Sequence, residues 1–192
     1  MYLFFDVETT GRPLNWKAPV SNTTNWPRMV QIAWLYYDED QNLVDAQDYI
    51  IQPEGYEIPK EVVEIHGIST ALAKEKGVKL VTVLEAFKKL IDKTEYIIAH
   101  NISFDEKVVG CEFYRKKMEH RLFLSERICT MQEGTKFCKI PGKYGKYKWP
   151  TLTELHKKAV GKDFTEKHNA RADTQACADS FFKMLAVDAI EL

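Results

Sequence analysis

Two acids spaced two apart on an apolar strand, Asp6 and Glu8 in Leu3-Phe4-Phe5-Asp6-Val7-Glu8-Thr9, constrain this chain more than any other feature. The run is rich in aromatic and β-branched residues and is ended by Gly11 and Pro13, the composition of a strand and its stop. Side chains alternate along a strand, so Asp6 and Glu8 share one face while Phe5 and Val7 share the other. Neighbouring carboxylates repel, and burial next to a core costs several kcal/mol unless a cation compensates. A metal between the two acids satisfies that demand; an exposed edge strand with two solvated acids is the plain alternative.

The rest of the chain supplies more acids at element ends. Arg12 to Pro27 has three prolines (Pro13, Pro19, Pro27), Trp16 and Trp26 and no periodicity, which predicts a long loop beside the first strand. Met29–Tyr37 and Leu43–Gln52 are β-rich runs joined by a polar turn, giving a three-strand antiparallel meander. Short helices are expected at Pro59–Ile65 and after Ser69, and Leu80, Val83, Leu84, Phe87, Leu90 and Ile91 mark an amphipathic helix. The strand Glu95–Ala99 leads to His100-Asn101-Ile102-Ser103-Phe104-Asp105-Glu106, where Ser103 and Glu106 have capping-box spacing and Asp105 falls in the first turn of a helix. His100 and Asn101 are expected to orient this turn by hydrogen bonds. Thr151 and Glu154 have capping-box spacing too, and a last helix over Arg171–Leu185 packs through Cys177, Phe181 and Met184 with Asp173 on its inward side.

Asp6, Glu8, Asp105 and Asp173 form an all-oxygen set with His168 five residues before the last of them. Hard ions such as Mg²⁺ or Mn²⁺ suit such donors better than zinc does. Paired ions can stabilise the attacking and leaving oxygens of a displacement at phosphorus, and a nearby imidazole can take the proton of an attacking water.

These residues resemble a known family. FDVETTG, HNISFD and HNARAD look like the three motifs of the DEDDh (DnaQ-like) 3′-to-5′ exonucleases, including the epsilon-like proofreading enzymes, and the resemblance covers nearly the whole chain. It implies an α/β, ribonuclease H-like fold: a mixed five-stranded sheet, the antiparallel meander plus parallel strands, flanked by helices. It also implies that Asp6, Glu8, Asp105 and Asp173 bind two Mg²⁺ or Mn²⁺ ions, that His168 is the general base, and that Thr9, Phe104 and His66 or Ile68 hold the terminal nucleotide. The Arg12–Pro27 segment is longer than the corresponding family loop. The sequence ends soon after the last motif, without the polymerase-tethering tail of replicative proofreading subunits, so the resemblance leads one to expect a stand-alone nuclease or a proofreader that docks by its folded surface.

Residues 1–192 suffice for one exonuclease domain with a substantial core. Cys111, Cys129, Cys138 and Cys177 lack CxxC spacing, and no apolar run approaches membrane-spanning length, so a cytoplasmic protein with free thiols and no membrane partner is expected. Net charge is −7 over residues 1–114 and +7 over 115–148, and the segment 136–149 interleaves Lys136, Lys139, Lys143, Lys146 and Lys148 with Phe137, Tyr144, Tyr147 and Trp149. Such a segment suits a strand-tracking surface, where cations meet phosphates and rings meet bases; otherwise it is a solvated loop with its aromatics packed inward. The expected substrate is single-stranded nucleic acid with a free 3′ end, DNA over RNA, cut to nucleoside monophosphates. An exoribonuclease and a non-catalytic nucleic-acid-binding module are the rivals.

Overall fold

A computed structural model describes residues 1–164 and 168–192. Five strands, β1 (Tyr2–Thr9), β2 (Met29–Tyr37), β3 (Leu43–Ile50), β4 (Tyr96–Ala99) and β5 (Glu126–Cys129), form one sheet in the order β3-β2-β1-β4-β5. The first three make the expected meander, and β4 and β5 extend it in parallel from the other edge of β1. The helices are α1 (Lys60–His66), α2 (Thr70–Lys76), α3 (Leu80–Ile91), α4 (Ile102–Arg115), α5 (Thr130–Cys138), α6 (Leu152–Val160) and α7 (Ala170–Leu185).

The two faces of β1 feed two cores. Leu3, Phe5 and Val7 meet Leu84 and Phe87 of α3 and Val108 of α4, while Tyr2 and Phe4 meet Cys177, Phe181 and Met184 of α7. Asp6 and Glu8 continue the Tyr2–Phe4 face, so the same alternation that builds the core aims both acids toward α7. Helix α7 matches that face stepwise. Two strand residues advance about 6.7 Å and four helix residues about 6 Å. Phe181 therefore packs on Phe4, with centroids 5.3 Å apart, Cys177 lies beside Asp6, and Asp173 comes to Glu8. The register shifts between Glu8 and Thr9, so the β1–β2 ladder is bulged immediately after the second acid before Thr9 pairs with Met29.

The Arg12–Pro27 segment is an ordered insertion. The Asn15 N–H donates to Asn25 Oδ1 at 2.7 Å and Asn25 Nδ2 donates back to the Asn15 carbonyl at 3.0 Å, closing its two ends. Trp26 is buried and donates its indole N–H to the Pro19 carbonyl. Arg115 donates to the carbonyls of Thr23, Trp26 and Pro27, and the fully buried Glu112 accepts from Arg28 Nε at 2.9 Å, the Met29 N–H at 3.0 Å and Arg115 at 3.0 Å. Glu112→Ala removes the carboxylate partner of two guanidinium groups and the acceptor of the Met29 N–H. The expected cost is about 3–5 kcal/mol, read as a lower midpoint in urea unfolding; a midpoint within error of wild type would deny Glu112 this role.

Two expectations are corrected. Ser103 does not cap α4: the helix begins at Ile102 behind Asn101, which is left-handed at φ 70°, and Glu106 is buried against Arg127 instead. From sequence alone His156 falls on a helical or basic surface; it is instead buried in α6 with Nδ1 2.9 Å from the Lys162 carbonyl. The capping box of Thr151 and Glu154 forms at the start of α6.

Candidate active site

A cleft of about 620 Å³ opens where β1 ends and where α4 and α7 begin. Asp6, Glu8, Asp105, His168 and Asp173 line it, together with Phe104, His100, Asn101, Arg12, Trp16 and Trp149. Three separated stretches of chain thus bring the five expected catalytic side chains to one cavity.

Each side chain is positioned by its own element. Asp105 is buried in the first turn of α4 and accepts the Val7 N–H at 3.2 Å, which ties α4 to the strand between the two acids of β1. Asn169 caps α7 by accepting from the N–H groups of Arg171 and Ala172. Asp173 then accepts the His168 backbone N–H at 2.9 Å, and His168 is held in the left-handed region at φ 63°. A left-handed backbone at a non-glycine residue is uncommon and worth tracing to a function. Here it turns the chain so that an exposed imidazole sits over the carboxylates instead of entering the helix.

Electrostatically the site is short of cations. Burial raises the Asp6 carboxyl well above its ordinary value, and Asp105, Asp173 and Glu8 raise it further. Burial pushes Glu8 up to about 7, with Asp173 adding to it. Burial raises Asp105 too, opposed by backbone hydrogen bonds that favour its charge. Among the described residues no lysine or arginine pairs with Asp6, Glu8 or Asp105. Glu8, His168 and Asp173 each offer a ligand atom within 4.8 Å of the others, a spacing that one cation can bridge. The residues therefore fit a divalent metal, whose charge would offset the carboxylate repulsion.

The remaining expected residues have other surroundings. Phe104 faces the cleft, but Thr9 is buried with its hydroxyl donating to the Gly11 carbonyl at 2.6 Å. His66 and Ile68 line a separate cavity of about 430 Å³ with Gln31, Asp48 and Asn169. His66 Nδ1 accepts the Ile68 N–H, and burial holds the imidazole below its ordinary value.

Gln31 was not legible as a site residue. It lies opposite Glu8 across the ladder, donates to Asp48 Oδ1 at 2.7 Å and accepts the Ala170 N–H at 3.3 Å, so it ties β2 to the start of α7. A buried glutamine amid an apolar strand was the available signal. His100 fulfils its expected orienting role. Its Nε2 lies 3.1 Å from the Pro150 carbonyl, which can only accept, so that nitrogen carries the proton and Nδ1 faces the Thr130 hydroxyl at 3.1 Å. Burial lowers this imidazole to about 4, keeping it neutral. The bond anchors the chain at Trp149–Pro150, which also lines the cleft.

The exonuclease family model, of RNase T type, matches residues 3–181. A search of curated proteins returned no match. Among solved structures, E. coli exonuclease I in complex with a dT13 oligonucleotide is 21% identical with a TM-score of 0.74, covering 96% of this chain and 40% of that one. The zinc-bound form of the E. coli exonuclease I–ssDNA complex is likewise 21% identical with a TM-score of 0.74, covering 97% and 40%. The chain thus spans about two-fifths of the length of these proteins. The match over 3–181, on a five-stranded mixed sheet with the acids where the three motifs put them, makes this chain a member of the DEDDh (DnaQ-like) 3′-to-5′ exonuclease family of the ribonuclease H-like superfamily.

Proposed function

We propose that residues 1–192 form a single exonuclease domain that removes nucleoside monophosphates from the 3′ end of single-stranded DNA, using two Mg²⁺ or Mn²⁺ ions and His168 as general base. The observation that carries this reading is the convergence of Asp6, Glu8, Asp105 and Asp173 with His168 in one open cleft. Asp6, Glu8, Asp105 and Asp173 would hold the ions, which when bound supply charge to stabilise the attacking and leaving oxygens at phosphorus. His168 accepts the proton of the attacking water as the P–O bond to the preceding 3′ oxygen breaks. Its exposure suits that role, because the imidazole must exchange its proton with solvent after each turnover. Phe104 offers a ring face to the terminal nucleotide, and the exposed aromatics of the 136–149 segment, Tyr144, Tyr147 and Trp149, favour an unpaired strand, whose bases are free to stack. The related complex with a dT13 oligonucleotide supports DNA as the substrate.

Matched DNA and RNA oligonucleotides labelled at the 5′ end, incubated with Mn²⁺ or EDTA, test the proposal. A metal-dependent ladder that shortens from the 3′ end, faster on DNA, is expected. A faster ladder on RNA would make the protein an exoribonuclease, and binding without cleavage would leave it an accessory module.

A further inference from the structure

The insertion carries an indole that the catalytic residues leave unused. Trp16 is 49% exposed, lines the cleft, and lies against Phe104 with ring centroids 5.7 Å apart and planes at 47°. Phe104 immediately precedes Asp105, so Trp16 adds a second ring to the aromatic surface beside the carboxylates. A large exposed aromatic normally has an entropic reason to turn inward, and here its backbone is fixed instead. Lys107 Nζ donates to the Trp16 carbonyl at 3.0 Å, the Asn15–Asn25 pair closes the insertion behind it, and Trp26 and Ala18 bury the insertion's underside. Arg12, at the foot of the same insertion, adds a cation to the cleft. A rigid half-exposed ring beside a cation is the combination that unpaired bases and their phosphates recognise, and fixing it beforehand removes an ordering cost from binding.

We infer that Trp16 is a substrate-specificity residue: its indole stacks on the base 5′ to the terminal nucleotide, so that the insertion selects strands whose last two nucleotides are unpaired. The inference rests on the exonuclease reading, but its first test does not need turnover. Paired bases stack on each other and offer no free face, so a blunt duplex gains nothing from Trp16 until its end frays.

The test compares wild type, Trp16→Ala and Trp16→Phe. Binding of a 5′-fluorescein dT oligonucleotide is followed by anisotropy in EDTA, so a protein that binds without cutting still reports on Trp16. Trp16→Ala is expected to weaken binding about 10-fold, within the range that loss of one stacked base gives, with Trp16→Phe recovering most of it. In Mn²⁺, the rate on the oligonucleotide is divided by the rate on the p-nitrophenyl ester of thymidine 5′-monophosphate, which has no second base. Trp16→Ala is expected to lower that ratio about 10-fold, through KM. Unchanged binding by Trp16→Ala would overturn the inference. So would an equal loss on both substrates, or failure of Trp16→Phe to restore either readout, because Trp16 would then only shape the site. No cleavage by wild type, with binding still sensitive to Trp16, would sink the exonuclease reading and spare the stacking one.

Discussion

Stripped of divalent cations, the protein is expected to melt about 10 °C lower at pH 8 than at pH 5, and millimolar Mn²⁺ is expected to recover most of that difference. The sign follows from Glu8. Its carboxyl is raised from an ordinary 4.5 to about 7 by burial and by Asp173. A carboxyl raised in the folded state contributes stability that is fully present below about 4.5 and is lost as pH rises through about 7. Between pH 5 and pH 8 this amounts to roughly 2–3 kcal/mol from Glu8 alone, or about 5–10 °C for a chain of this size. Asp6 and Asp105 are raised in the same sense and add to the effect. A bound cation reverses it by favouring the ionised carboxylates, so the Mn²⁺ shift should be large at pH 8 and small at pH 5. Asp6→Asn should lose much of that shift, yet melt no lower than wild type in EDTA at pH 8, because it removes a repelled charge and keeps the shape. Calorimetry in EDTA and in Mn²⁺ at both pH values reads all three expectations. Equal metal-free melting at pH 5 and pH 8 would mean that the acids do not repel as their burial implies.

His168→Ala is expected to lower turnover by about 10²–10⁴-fold, the usual worth of a positioned general base, while the Mn²⁺-induced melting shift is largely kept. The two readouts separate its possible roles. As a base, His168 contributes to kcat and little to metal affinity. As a ligand within 4.8 Å of Glu8 and Asp173, it would take much of the metal stabilisation with it when removed. Exogenous imidazole offers a second check, since a small base can enter the gap that alanine leaves in an open cleft. Near wild-type turnover by His168→Ala would remove it from the chemistry.

How much of this could be read from the sequence depended on whether a pattern reported local or distant contacts. Strand β1, helix α3 and the last helix were legible because periodicity records which face is buried, and the face of Asp6 and Glu8 followed from alternation alone. Thr151 and Glu154 form their capping box, whereas Ser103 and Glu106, with equivalent spacing, do not. The difference lies far along the chain: Arg127 of β5 takes the Glu106 carboxylate, and the helix starts behind Asn101, two residues earlier than a Ser103 cap would place it. Strand β5 was not located either, because an edge strand of four residues with Glu126 and Arg127 exposed shows neither an apolar run nor alternation. Helix α5 was hidden in the same basic segment. Of the site, the five motif residues were readable, but the tie from Gln31 to Ala170 and the fixing of Trp16 by Lys107 join residues about 90 or more positions apart. Nothing in the local sequence announces such bonds.

The stepwise match of α7 to β1 has a kinetic consequence. Strand β1 pairs early with its sequence neighbour β2, but its acidic face is completed only when a helix about 170 residues later docks antiparallel to it. Such distant contacts carry the largest loop-closure cost and form late. During synthesis, a ribosome-held chain that has not yet released α7 has two acids on a strand and a third on α4, but neither His168 nor Asp173. The cluster of Asp6, Glu8, Asp105, His168 and Asp173 is therefore complete only once α7 has docked on β1.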